Sequence, residues 1–171
     1  SLELVSVMSY LLVGFQKRDS LAIEGALKYF LFGALSTGAM LYGITLVYGL
    51  TGRMDLGGLA GLTSAAASAP ALTVAAVLLL TAGLAFKLAL VPFHMWAPDA
   101  YEGAAAPVAS FISLGPKLAA FAVLARLFLL GISPEAIGWP LLFGALAVVS
   151  MTIGNLAALG QTNVKRMLAY S

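Results

Sequence analysis

The chain has 171 residues, of which 61% are hydrophobic and only 9% charged, against about 25% charged in ordinary soluble domains. Such a chain cannot cover itself with polar surface, so a water-soluble globule is excluded and an integral membrane protein is implied. The net charge of +2 offers no basic stripe for nucleic acid, and the lack of cysteine excludes disulfides, iron–sulfur ligation and thiol chemistry by this chain.

Five apolar segments follow one another, and runs near 20 residues read as spanning helices. The first is Ser1–Phe15. The second, Leu21–Leu50, is longer than one span needs, so it tilts or begins in the interface. Its small residues, Gly33 to Ala39, suit close helix packing in lipid. Residues 51–70 carry Gly52, Gly57, Gly58 and Gly61 and read as a surface loop. Next comes a broken unit: Leu72–Val91, then a half-helix near Ala104–Ile112. The fourth span is Ser113–Leu130 and the fifth Pro140–Leu159. No strand pattern competes. The expected fold is all-α, a polytopic transmembrane bundle of about five spans, one of them proline-broken, in a single domain over 1–171. Met167–Ser171 looks like the start of another apolar segment, and Ser1–Val13 shows no signal peptide. Both ends read as cut from a longer polytopic protein. Lys17, Arg18, Lys165 and Arg166 fall on one side of five crossings and Arg53 on the other, which puts 16–20 and 160–166 on the cytoplasmic side.

The break is the most informative segment. Lys87 closes the run 71–86, and Pro92 follows five residues later, with His94 just beyond. A charge at mid-bilayer costs about 2.5–3.5 kcal/mol on insertion scales, so a lysine there points to work on ions or protons. Pro92 removes a backbone donor and crowds the preceding turn, and broken helices are tolerated at membrane depth where they are buried in protein or line a watery cavity. We expect an irregular stretch within Val91–Ala105, with Lys87 in the last turns of the first half. The carbonyls freed at that helix end favour a cation and offer sites for water.

Lys117, just after Gly115-Pro116, is a second deep lysine. Burial lowers a lysine's proton affinity and a nearby carboxylate restores it, so a movable carboxylate makes a proton switch. His94 adds an imidazole, the side-chain type suited to passing protons; it also reads as a hydrogen-bonding residue at a helix end. Glu24 and Lys28 are spaced i, i+4 and can pair, although Glu24 also reads as interfacial and Lys28 as snorkelling. Arg126 reads as snorkelling or as a member of a structural pair. Glu3, on the residues alone, reads as a terminal residue. Asp99 and Glu102 read as connector residues that cap the second half-helix. There is no phosphate-binding glycine loop, no Ser/His/Asp set in register and no cofactor fingerprint.

The run Lys87-Leu-Ala-Leu-Val-Pro-Phe-His94-Met-Trp-Ala-Pro-Asp-Ala-Tyr-Glu-Gly103 resembles the broken-helix signature of the antiporter-like subunits of respiratory complex I. Glu24-Gly-Ala-Leu-Lys28-Tyr-Phe-Leu-Phe-Gly and Gly154-Asn-Leu-Ala-Ala-Leu-Gly-Gln-Thr-Asn-Val-Lys-Arg-Met-Leu-Ala-Tyr-Ser171 resemble subunit N within that superfamily, which also includes the Mrp antiporters. After Glu102-Gly103 the family typically reads Ala-Pro-Thr-Pro, whereas this chain has Ala104-Ala105-Ala106-Pro107. The resemblance implies most of one half of an inverted-repeat transporter module: the first repeat without its opening helix, plus the start of the next. It implies a proton path through Glu3, Lys28, Lys87, His94 and Lys117, with Glu3 pairing with Lys87, which reverses the reading of Glu3 from the residues alone. It implies a translocating subunit of an NADH:quinone oxidoreductase in the bacterial inner membrane, beside other complex I membrane subunits and lipid. No cofactor is expected on this chain; NADH, FMN, iron–sulfur clusters and quinone belong to other subunits. The alternatives are a subunit of a cation/proton antiporter and a non-pumping membrane scaffold.

Overall fold

A computed structural model describes residues 2–134 and 138–170, without the side chains of Leu2, Glu3, Leu56 and Gly57. The described residues form helices and connecting turns, with no strand among them. The helices are α1 (Leu2–Val13), α2 (Ser20–Thr51), α3 (Leu56–Ala60), α4 (Leu62–Ser68), α5 (Pro70–Leu88), α6 (Ala97–Gly103), α7 (Ala106–Arg126), α8 (Trp139–Leu159) and α9 (Val164–Tyr170). A π-helical turn, Leu127–Gly131, prolongs α7. Among the described residues, four helices are long and apolar enough to cross a membrane: α2, α5, α7 with its π turn, and α8. The expected all-α polytopic fold is therefore observed.

The long helix α2 has a defined start and stop. The Asp19 side chain accepts from the backbone N–H of Leu21, satisfying one of the donors a helix start leaves open. Gly52, at φ 67°, ends the helix in the left-handed region that glycine adopts without steric cost. Between these ends α2 is unbroken for 32 residues.

Behind it runs the broken unit, antiparallel to α2 along nearly its whole length. Glycines mark where the two backbones close up. A Cβ on Gly43 would lie 2.7 Å from the Leu80 nitrogen, one on Gly25 2.6 Å from the Asp99 carbonyl oxygen, and one on Gly103 2.4 Å from the Leu21 carbonyl oxygen. The order 43–80, 25–99, 21–103 sets the register. Gly83 faces the Met40 side chain, so Lys87, one turn on, lies level with Ser36, midway along α2.

Among the described residues an apolar core lies on each side of that level, and Met40, Leu80 and Leu84 form a smaller cluster. One core gathers Tyr10, Val13, Tyr29, Phe86, Trp96 and Ile112 around the break. The other gathers Val47, Leu62, Val77, Phe128 and Ile132, with Trp139 against it. By contrast α8 buries no residue against the rest of the chain.

Three expectations need correction. Residues 51–70 are not a plain loop: they contain α3 and α4. The second half-helix is not at 104–112 but at Ala97–Gly103, and Ala106–Arg126 is a single helix that takes in both the supposed half-helix and the supposed start of the fourth span. The reason is proline position. Pro98 and Pro107 each stand in the first turn of a helix, and Pro116 is tolerated inside α7. A first-turn proline costs nothing because its missing N–H has no partner there anyway. Finally, Asp99 and Glu102 lie on α6 itself, not in a connector, and neither caps it.

Candidate functional site: the break and its lysines

The helix α5 ends four residues before Pro92, where the proline ring would meet the carbonyl of residue i−4, Leu88. The ending is a Schellman motif: Leu90 N–H donates to the Ala85 carbonyl at 2.9 Å and Ala89 N–H to the Phe86 carbonyl at 3.1 Å. Ala89 takes the left-handed position, φ 54°, that glycine usually fills. Trp96 Nε1 donates to the same Phe86 carbonyl at 3.2 Å. The irregular stretch thus begins at Ala89, slightly before the expected window, and α6 occupies much of that window. The carbonyls of Ala85 and Phe86, expected to be available to water, are taken by the protein.

Lys87 lies in the last turn of α5, where the negative helix end favours a cation. It is only 6% exposed. Its Nζ donates to Ser6 Oγ of α1 and lies 5.5 Å from the Phe86 ring centroid. Glu3 is on the same helix as Ser6; its side chain, and with it the expected Glu3–Lys87 pair, lies outside the described residues.

Lys117 is the twelfth residue of α7. Its Nζ stands 5.5 Å from the centroid of the Tyr101 ring on α6. Both line a cavity of about 510 Å³ with Ser110, Ser113 and Lys165. The Tyr101 hydroxyl is buried with no hydrogen-bond partner among the described residues, and a buried polar atom in that condition calls for water.

His94 lies in the break, and its Nδ1 is likewise buried without a described partner. A cavity of about 40 Å³ lies against His94, Val91, Ser150 and Tyr170, room enough for ordered water. The Val91 N–H donates to Ser150 Oγ of α8 at 3.0 Å.

Lys28 is not beside Lys87. It sits eight residues before Ser36 on α2, ~12 Å along the axis at 1.5 Å per residue. Its Nζ lies 2.6 Å from Asp99 Oδ2 and 2.6 Å from Glu24 Oε1. The expected i, i+4 pair with Glu24 is present, and it extends to α6. The residues that sequence reasoning missed are the partners of that extension: Asp99, Glu102, Asn163, Lys165 and Arg166, which meet at the end of the bundle next to 16–20.

A discontinuous span with a buried lysine at its break, lying along an unbroken helix, places the chain in the class of polytopic broken-helix membrane folds. The chain belongs to the NADH:quinone oxidoreductase/Mrp antiporter transmembrane family, whose model matches residues 1–171. It is 47% identical to NADH-quinone oxidoreductase subunit N of Anaeromyxobacter sp. (strain Fw109-5), over 100% of this chain and 37% of that protein. It is 48% identical to subunit N 2 of Sorangium cellulosum (strain So ce56), over 100% of this chain and 36% of that one. Among solved structures, a chain of respiratory complex I from Thermus thermophilus with bound aureothin superposes with a TM-score of 0.79 at 42% identity, covering 99% of this chain and 35% of its own. A chain of the Mrp complex from Dietzia sp. DQ12-45-1b gives 0.75 at 25% identity, over 88% of this chain and 27% of its own. The chain spans about a third of the length of the relatives it matches. The resemblance drawn from the three sequence runs is borne out.

Proposed function

We propose that this chain carries part of a proton path in the membrane arm of an NADH:quinone oxidoreductase, as a segment of a subunit-N-like protein. The observation that carries the reading is Lys87: a buried lysine level with the middle of α2, at the end of the first half of a broken helix, held by a hydroxyl from α1. A buried lysine is sensitive to any change in the groups around it, and a carboxylate moved toward or away from it changes how firmly it holds its proton. Glu3 is the candidate carboxylate, by family resemblance. Lys117 and His94 would continue the path, because each lines a cavity with room for water. Lys28 would act nearer the end of the bundle. The redox groups that drive the process would lie on other subunits, and quinone reduction would reach this chain as a change in the pairing of Lys87. The chain would supply most of one inverted repeat, in the bacterial inner membrane, beside other membrane subunits of the complex. The likeness to a chain of an Mrp complex supports the alternative of a cation/proton antiporter.

The test is Lys87→Met in the whole subunit, in the assembled complex reconstituted into vesicles. Proton uptake coupled to NADH oxidation should fall several-fold with the subunit still present. Lys87→Arg should also impair it, because arginine keeps its proton where lysine releases one. Full uptake with the subunit confirmed present sinks the reading. Uptake driven only by a cation gradient, and not by NADH, favours the antiporter.

A further inference from the structure

At one end of the bundle the short helix α6 is tied to two others by side chains far apart in the sequence. Arg166 Nη1, on α9, lies 2.5 Å from Asp99 Oδ1 and 2.8 Å from Glu102 Oε2. Lys28, on α2, holds the other oxygen of Asp99 at 2.6 Å. Asn163 Nδ2 donates to the other oxygen of Glu102 at 2.8 Å. All four carboxylate oxygens of α6 are therefore engaged. Lys165 Nζ donates to the Glu102 and Ala104 carbonyls at 3.3 and 2.9 Å, at the C-terminal end of the same helix. With Glu24 counted, three acids face three bases, so the cluster is balanced, and removing one member leaves an uncompensated charge. The Asp99, Glu102 and Arg166 side chains are 20%, 18% and 31% exposed, so the pairs are shielded from water more than surface pairs are.

A seven-residue helix cannot hold itself together: its few internal bonds do not offset the cost of starting it. The ties from α2 and α9 thus decide where α6 sits. Position matters because Tyr101, next to Glu102 on α6, forms one wall of the Lys117 cavity, and Lys165 lines the same cavity. We infer that Asp99, Glu102 and Arg166 form a latch that fixes α6 and so sets how far the Lys117 cavity opens toward the end of the bundle bearing residues 160–166. These are positioning residues: they act on access to Lys117 through α6. The inference rests on the proton-path reading for its purpose, but not for its geometry.

Cysteine accessibility tests it. Residues 1–171 contain no cysteine, so a cysteine placed at Ser113, on the cavity wall, gives a local probe in the whole subunit within its assembled complex; the parent without it supplies the background. A membrane-impermeant thiol reagent is added from the side bearing 160–166. Arg166→Gln should raise the labelling rate at position 113 several-fold, and Arg166→Lys should return it part of the way, since an ammonium cannot match the guanidinium's reach to two carboxylates. Asp99→Asn keeps the side chain's shape and carries the test if Arg166→Gln does not assemble. An unchanged labelling rate in an assembled variant overturns the latch, whatever proton uptake does. A raised labelling rate with normal proton uptake leaves the latch standing and shows that the opening of the cavity does not limit uptake.

Discussion

The ring of Tyr29 lies flat on that of Trp96, centroids 4.1 Å apart and planes 9° from parallel. One residue comes from the unbroken α2 and the other from the last position before α6, so the stack fastens the irregular stretch to the helix behind it. Phe86 completes the group, 5.2 Å from Trp96. Trp96→Ala should cost about 3 kcal/mol, the low end for a buried Trp→Ala change, read as a loss of chemical stability of the subunit in detergent. Trp96→Phe should cost less, keeping the ring but leaving the Phe86 carbonyl short of a donor. Equal costs for the two would mean that the stack contributes little.

Gly103 approaches Leu21 backbone to backbone, so an added methyl group has nothing flexible to displace. Gly103→Ala should destabilise by about 1–3 kcal/mol, as overpacking does. Gly38, on the same α2, has open space around a built Cβ. There alanine should be neutral or stabilising by up to about 1 kcal/mol, from helix propensity alone. Melting temperatures of the two variants, compared side by side, check the seam between α2 and α6.

Ala89 holds a left-handed conformation that costs an L-residue about 1–2 kcal/mol. Ala89→Gly relieves that cost and gives back part of the gain as unfolded-chain entropy. A net rise of roughly 0.5–1 kcal/mol is expected on that balance, and Ala89→Val should lower stability. Thermal melts in detergent decide; a less stable glycine variant would contradict the observed ending of α5.

Tyr101→Phe separates two roles at the Lys117 cavity. The ring facing Lys117 stays, while the hydroxyl without a described partner goes. If that hydroxyl orders water on the path, proton uptake should slow a few-fold while stability holds. Lys117→Met should slow it further. Unchanged uptake in both variants would take this cavity out of the path.

The break itself was legible because a lysine deep in an apolar run, followed by proline, has few physical readings. Its detail was not. Pro98 and Pro107 look like interruptions in a linear reading, yet both start helices, since a first-turn proline gives up no bond. The place of Lys87 at the end of its helix could be read from the proline five residues on; the placing of Lys28 could not. Its partner Asp99 is 71 residues away, and Arg166 lies 67 from Asp99. Asp99 and Glu102, spaced i, i+3, share a helix face, which was the available signal that one partner could hold both. The loop at 51–70 concealed α3 and α4 because its glycines outweighed the short apolar pattern of Leu59 and Leu62.

The contacts of Gly25 and Gly103 leave no layer of side chains between α2 and α6. Side chains between helices act as bearings, letting one slide on another as rotamers change. Here peptide planes meet directly at two points along one short helix. Translation of α6 along α2 is blocked, and the freedom left is a rocking about the line joining the two glycines. A displacement that reaches α6 through the side chains of α9 is therefore expected at Tyr101 as a tilt of its ring rather than as a slide of the helix.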